Sequence, residues 1–391
     1  MFFFDFKKDT AEYIDEFENA LEAESSEYID ESSSVTFSSF SNASVIPMDV
    51  STEMIVSWNN SNKLCLSPDF QRRDVWENKR MSLFIESLIL NIPIPSILLA
   101  QDTQKNKLIV IDGKQRLNAI LAFWAPQKNG AGIRLSGLEV LKELNGYTYK
   151  KLKEDSSKID LLSRFEGAIL KANILKNYDE DLLYFIFSRL NSGSVPLSTQ
   201  ELRQAMYPGE FVKFANDFSI KSNEIKKVLK LKNPDKRMRD VELVIRYFAF
   251  KYFRDIYANS INKFFNYTCA ELNKKWDTLN KKIIKDGDEL TTAIQFVYSY
   301  FGTDAFCAYF IDEEKEYFGP FNRPMFDLMT VVFSEEKYRN IVDSKNLNLK
   351  DFIIDLFRKN SRFADGFMPT THSLEKTRAR FEEFINAIDA L

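Results

Sequence analysis

The stretch Leu108-Ile-Val-Ile-Asp-Gly-Lys-Gln-Arg-Leu-Asn-Ala-Ile120 decides how the first half of this chain is read. Its apolar run breaks at Asp112-Gly113 and is followed at once by Lys114, Gln115 and Arg116, which predicts a buried strand, a sharp turn and a helix start. A helix start leaves backbone N–H groups without intrahelical partners at the positive end of the helix dipole. Two cations beside them make the junction suited to an anion. The pattern is not a P-loop, because G-x-x-x-x-G-K-[ST] is absent. Taken alone, it also describes an ordinary turn flanked by surface charges.

Outward from this stretch, the pattern from Val45 to about Met206 is mixed. The run Ile92-Pro-Ile-Pro-Ser-Ile-Leu-Leu-Ala100 reads as a strand, as does the stretch from Glu166 to Leu175. Helical spacing appears at 77–91, through Met81, Phe84, Ile85, Leu88 and Ile89, and again at 179–191. Ser198-Thr-Gln-Glu201 has the form of a capping box, and Pro208-Gly209 ends the helix it starts. Short strands between helices predict an α+β domain with a small mixed sheet at 45–208. After Gly209 the strand signals nearly vanish, so residues 209–391 are expected to form an all-helical domain without a fixed repeat.

Composition narrows the chemistry. The chain has 391 residues, 45% hydrophobic, enough for two domains with sizeable cores, and its 35 phenylalanines are read as packing. Cys65, Cys269 and Cys307 are far apart and have no C-x-x-C spacing, which indicates neither a disulfide framework nor a zinc site. The start MFFFDFKKDTAEY lacks the features of a secretory signal, and no apolar run reaches the ~18 residues a membrane span needs. A cytoplasmic protein with no membrane association is the expectation. A single histidine, His372, excludes His-Asn-His nucleases, His-triad hydrolases and multi-histidine zinc centres from this chain.

Charge is unevenly distributed. Residues 1–44 hold 11 Asp/Glu against Lys7 and Lys8, a net of −9, and end in a Ser-rich stretch. This reads as an acidic, mobile arm. Removing it from the formal −4 leaves +5 on residues 45–391. Within that body, residues 221–239 carry eight Lys/Arg against Glu224 and Asp235. Lys226, Lys227, Lys230, Lys232, Lys236, Arg237 and Arg239 are therefore candidates for contact with nucleic-acid phosphates, against the alternative of a solvated face.

Two further constellations accompany the opening stretch. Pro68-Asp-Phe-Gln71-Arg72-Arg73-Asp-Val-Trp76 is a proline-bounded loop with adjacent guanidinium groups, which suit phosphate. The segment from Arg189 to Arg203 places Asn191 and Glu201 near one another. Those oxygen ligands can hold Mg²⁺ with phosphates and waters, or both residues can serve only as caps.

The order and wording of four motifs, QRRDVW, ESLILNIPIPSILL, IDGKQRLNAI and RLNSGSVPLSTQELRQA, resemble the N-terminal domain family of GmrSD-type restriction endonucleases, marked by a D-G-Q-Q-R signature. The resemblance covers about residues 50–206. More distantly the layout is similar to the ParB and sulfiredoxin fold, in which a Gly-x-x-Arg turn holds nucleotide phosphates. The resemblance implies phosphate contacts from Gly113, Gln115 and Arg116, a nucleotide role for Gln71 and Arg72, and a supporting or metal-linked role for Asn191. Asp112 would order the turn or help to place Mg²⁺ or the attacking water. Lys114 replaces the family's first Gln and retains a phosphate-compatible side chain.

The expectation is a nucleotide-binding, Mg²⁺-dependent NTP-hydrolysing component of an anti-phage or restriction system, gating DNA engagement or a partner nuclease. Asp112, Gln115 and Arg116 are the candidates for chemistry, and Gln71, Arg72, Gly113, Lys114, Arg116 and Asn191 for nucleotide binding. Two alternatives stand beside it: a direct metal-dependent DNA nuclease using Asp112 and Glu201, and a non-enzymatic DNA-binding regulator.

Overall fold

A computed structural model describes residues 40–65, 76–102, 106–125, 132–190, 198–311, 316–367 and 373–391. These residues fall into two compact units that meet in sequence between Met206 and Tyr207. Most of the acidic arm, together with Gln71, Arg72, Asn191 and His372, lies outside the described residues.

The N-terminal unit runs β1 (Ser44–Ser51), α1 (Thr52–Asn60), β2 (Leu64–Cys65), α2 (Asn78–Ile89), β3 (Ile97–Asp102), β4 (Lys107–Asp112), α3 (Lys114–Trp124), α4 (Tyr149–Glu154), α5 (Ile159–Glu166), β5 (Ile169–Lys176), α6 (Glu180–Leu190) and α7 (Thr199–Met206). The strands form one sheet in the order β1-β5-β3-β4-β2. Pairing is antiparallel for β1/β5 and β3/β4, and parallel for β2/β4 and β3/β5. This is the small mixed sheet of an α+β domain. Helices α1, α2, α3 and α5 pack with one another, and the core they share with the sheet includes Ile55, Ile85, Leu99, Leu117, Ile120 and Phe165, all fully buried. Burying each such side chain stabilises the unit by about 1.5–3 kcal/mol.

Two local details depart from the sequence reading. The strand expected from Ile92 begins only at Ile97, because Pro93 and Pro95 have no N–H to offer a ladder. Strand β1, SVIPMDVS, gives no clean alternation and carries Pro47. It forms at the edge of the sheet, where a missing donor is tolerated, and its first six residues are exposed.

The C-terminal unit begins with α8 (Glu210–Lys221), α9 (Asn223–Val228), α10 (Arg239–Phe253), α11 (Ile261–Lys274) and α12 (Trp276–Phe301). After β6 (Cys307–Ile311) and β7 (Glu316–Phe321) it continues with α13 (Arg323–Phe333), α14 (Glu336–Ser344), α15 (Leu349–Lys359), α16 (Ser361–Asp365) and α17 (Leu374–Asp389). The unit is mostly helical, but β6 and β7 form an antiparallel hairpin with Cys307 opposite Phe321. This corrects the all-helical expectation. Short aromatic strands are hard to separate by period from a Phe-rich helical background. Here the Tyr309 and Phe318 rings, 4.9 Å apart, pack across the pair. The phenylalanines do serve as core: Phe211, Phe248, Phe265, Phe326 and Phe333 are fully buried.

Candidate functional site

The site is built where β4 ends. Leu108 to Ile111 are buried in the sheet, and Asp112 emerges opposite Leu98, where the β3/β4 register shifts. Gly113 then takes φ +94°, a left-handed conformation that side chains disfavour. A Cβ there would also run into Ile97 Cγ2 and lie 2.9 Å from Ile97 Cβ, so backbone conformation and close approach both demand glycine. The Gly113 carbonyl accepts from Leu117 N–H at 3.0 Å and starts α3, and Gly113 as N-cap brings no capping side chain of its own.

Arg116 secures the turn. Its Nη2 donates to Asp112 Oδ2 at 2.7 Å, and its Nη1 donates to the carbonyls of Ser96, at 3.1 Å, and Pro95. An i,i+4 pair therefore spans the strand–helix junction and ties it to the entry of β3. The Asp112 side chain is 44% exposed, and its Oδ1 has no protein partner among the described residues.

The remaining motifs arrive at the same turn. Gln115 Oε1 accepts from Trp76 N–H at 3.1 Å, and the Trp76 ring packs edge-on against Phe84 with the Arg80 guanidinium 4.5 Å from its centroid. At the other end of the QRR loop, Cys65 pairs in register with Ile109 of β4. Cys65 and Trp76, the described residues on either side of 66–75, are thereby both fixed to the β4–α3 segment. From the fourth motif, Glu201 Oε1 lies 3.9 Å from Lys114 Nζ.

The predicted capping box is present: Ser198 N–H donates to Glu201 Oε2 at 2.7 Å and Glu201 N–H donates to Ser198 Oγ at 3.1 Å. Glu201 is thus buried, engaged as a cap and paired with a cation. Among the described residues no group of three His, Cys, Asp or Glu side chains is arranged to hold a metal.

Sequence reasoning passed over several residues that matter here. Glu86, buried on α2, accepts backbone N–H groups from Glu139, Val140 and Leu141 at 3.1, 2.9 and 2.7 Å. It ties the long connection after α3 to the helical layer. A lone acid among the apolar positions of α2 was the available signal. Asn118, Gln200 and Gln204 are also buried, and nothing in their spacing announced it.

In the C-terminal unit the basic stretch occupies α9 and the loop before α10. Lys227, Lys230, Lys232, Lys236, Arg237 and Arg239 are exposed, while Lys226 is partly covered. Lys227 Nζ stands 3.8 Å from the Tyr298 ring centroid, and Arg239 pairs with the buried Asp235 at 2.7 Å. The others keep their charge at the surface, as a phosphate-binding strip needs.

No curated protein and no solved structure shows a significant match to the chain. One family model does match, over residues 54–208: GmrSD restriction endonuclease, N-terminal domain. That span runs from α1 to just past α7, so it contains the whole Asp112–Arg116 turn and all the segments converging on it. Residues 54–208 of this chain are accordingly similar to the GmrSD restriction endonuclease N-terminal domain family.

Proposed function

We propose that this chain is the nucleotide-binding, Mg²⁺-dependent NTP-hydrolysing component of a restriction system, and that turnover gates engagement of DNA or of a partner nuclease. Similarity to the domain family supports the role in restriction and defence against phage. The observation that carries the nucleotide reading is the convergence of described residues from three sequence motifs on one helix start at Gly113, with Lys114, Arg116 and a partly exposed Asp112 around it.

In this reading the backbone of Gly113 and the first turn of α3 cradle the phosphates, with Lys114 and Arg116 neutralising their charge. Gln71 and Arg72, which lie in sequence between Cys65 and Trp76, would add contacts to the nucleotide. Arg116 also orients Asp112, because its hold on Oδ2 leaves Oδ1 unengaged. That oxygen would hold Mg²⁺ or order the attacking water, in company with Asn191. Bound Mg²⁺ would supply charge neutralisation between phosphate oxygens. Gln115, on the first turn of α3, receives Trp76 N–H on its Oε1 and so ties the last residue of the QRRDVW motif to the site.

Phosphate release from the four NTPs, measured with and without Mg²⁺ and DNA, tests the reading directly. Wild-type protein is expected to turn over at least one NTP, and Asp112→Ala to abolish turnover while nucleotide still binds. Protein that neither binds nor hydrolyses any NTP would refute it.

A further inference from the structure

The phosphate site leaves a set of buried carboxamides unused. Asn118 on α3 is 5% exposed, and Gln200 and Gln204 on α7 are 1% and 2% exposed. Both polar atoms of Asn118, and the Nε2 groups of Gln200 and Gln204, have no hydrogen-bond partner among the described residues. Buried polar groups are nearly always paired, because losing water without a replacement is costly. Four such atoms on two helices therefore ask for an occupant.

Helical spacing shows where they face. Lys114 and Asn118 are four residues apart and share one face of α3; Gln200 and Gln204 are four apart and share one face of α7, with Glu201 between them. The 3.9 Å approach of Lys114 Nζ to Glu201 Oε1 joins the first turns of the two helices, and α7 packs against β4, the strand that leads into α3. Gln200 Oε1 is already taken by Arg203 Nη1, which leaves its amide nitrogen as a donor. The two faces thus combine orphaned donors with an orphaned acceptor, Asn118 Oδ1, next to the turn assigned to phosphate.

We infer that these faces of α3 and α7 form a base-recognition subsite, in which Gln200, Gln204 and Asn118 bind the polar edge of the nucleotide's base. The inference rests on the proposed nucleotide binding at Asp112–Arg116. Neutral carboxamides match the mixed donors and acceptors of a base edge. A phosphate would instead meet the Glu201 carboxylate, which lies beside Gln200 and Gln204 on the first turn of α7.

The test compares wild type with Gln204→Leu and Asn118→Leu, measuring affinity for ATP, GTP, CTP, UTP and inorganic tripolyphosphate, together with thermal unfolding. Both variants are expected to melt at or above the wild-type temperature, since an apolar side chain replaces an unpaired polar one. Affinity for the preferred NTP should fall about tenfold or more, the differences among the four NTPs should shrink, and tripolyphosphate binding should stay unchanged. If a leucine variant loses its cooperative unfolding transition, Gln204→Met and Asn118→Ala give the same readouts. Folded variants with wild-type NTP affinity and ranking would overturn the inference and assign the amides to buried water. An equal loss of tripolyphosphate binding would overturn it in favour of phosphate contact. Wild type that binds no NTP overturns the proposed function itself; wild type that binds normally beside unaffected variants overturns the base subsite alone.

Discussion

Two arginine–aspartate pairs, one in each unit, show how differently the same chemistry can be used. In the C-terminal unit Arg246, buried on α10, meets Asp327, fully buried on α13, through two hydrogen bonds of 2.9 and 2.6 Å. Glu242 lies 3.8 Å from the same guanidinium and is itself approached by Arg323 at 3.5 Å. In the N-terminal unit Arg116 meets Asp112 through one oxygen only, at a strand end where the carboxylate is 44% exposed. The first pair is bound on both oxygens and shut off from water, so it can only hold helices together. The second leaves one oxygen without a protein partner among the described residues and is partly open to water.

Breaking each pair should therefore give opposite results. Asp327→Ala leaves the Arg246 charge buried and unpaired, and denaturant unfolding should show a loss of about 3–5 kcal/mol. Gly113→Ala is expected to cost about 1–3 kcal/mol for the left-handed backbone alone, with more from the clash at Ile97, and to remove nucleotide binding with it. Glu86→Gln, which weakens three backbone contacts without emptying the space, should lower stability by about 1–3 kcal/mol. Its nucleotide affinity should stay close to wild type. Smallest in stability is Asp112→Ala, within about 1 kcal/mol because the pair is partly exposed, yet its turnover should vanish. An Asp112→Ala protein as destabilised as Asp327→Ala would erase the distinction between the two pairs.

A further measurement sharpens the contrast at the surface. Replacing Lys230, Lys232 and Lys236 together by Gln should weaken DNA binding alike for all sequences and flatten its dependence on salt, with thermal stability unchanged. Unaltered DNA affinity at low salt would make the basic strip a solvated face.

Much of the N-terminal unit was legible in the sequence, for identifiable reasons. A buried strand closed by Asp112-Gly113 and followed by cations reads locally, as do the apolar period of α2 and the Ser198–Glu201 capping box. Each rests on residues within a turn or two of one another, where spacing alone sets the geometry. What escaped was non-local or weakly patterned. Strand β1 exists because β5 offers it an edge, despite Pro47 and an exposed face. Hairpin β6–β7 depends on ring packing between two five- or six-residue segments. Glu86 looks like an interruption of an apolar stripe until the 139–141 backbone is seen around it.

By itself, then, the sequence determined the strand–turn–helix at Asp112–Arg116 and the need for glycine at its corner, since these follow from residue type and local spacing. Only the tertiary structure decided which of Arg116's partners holds it, that Glu201 caps α7 beside Lys114, and that Asn118, Gln200 and Gln204 are buried with polar atoms left unpaired. Hydrogen-bond satisfaction and burial are set by segments brought together from far along the chain, and no periodicity within one segment can report them.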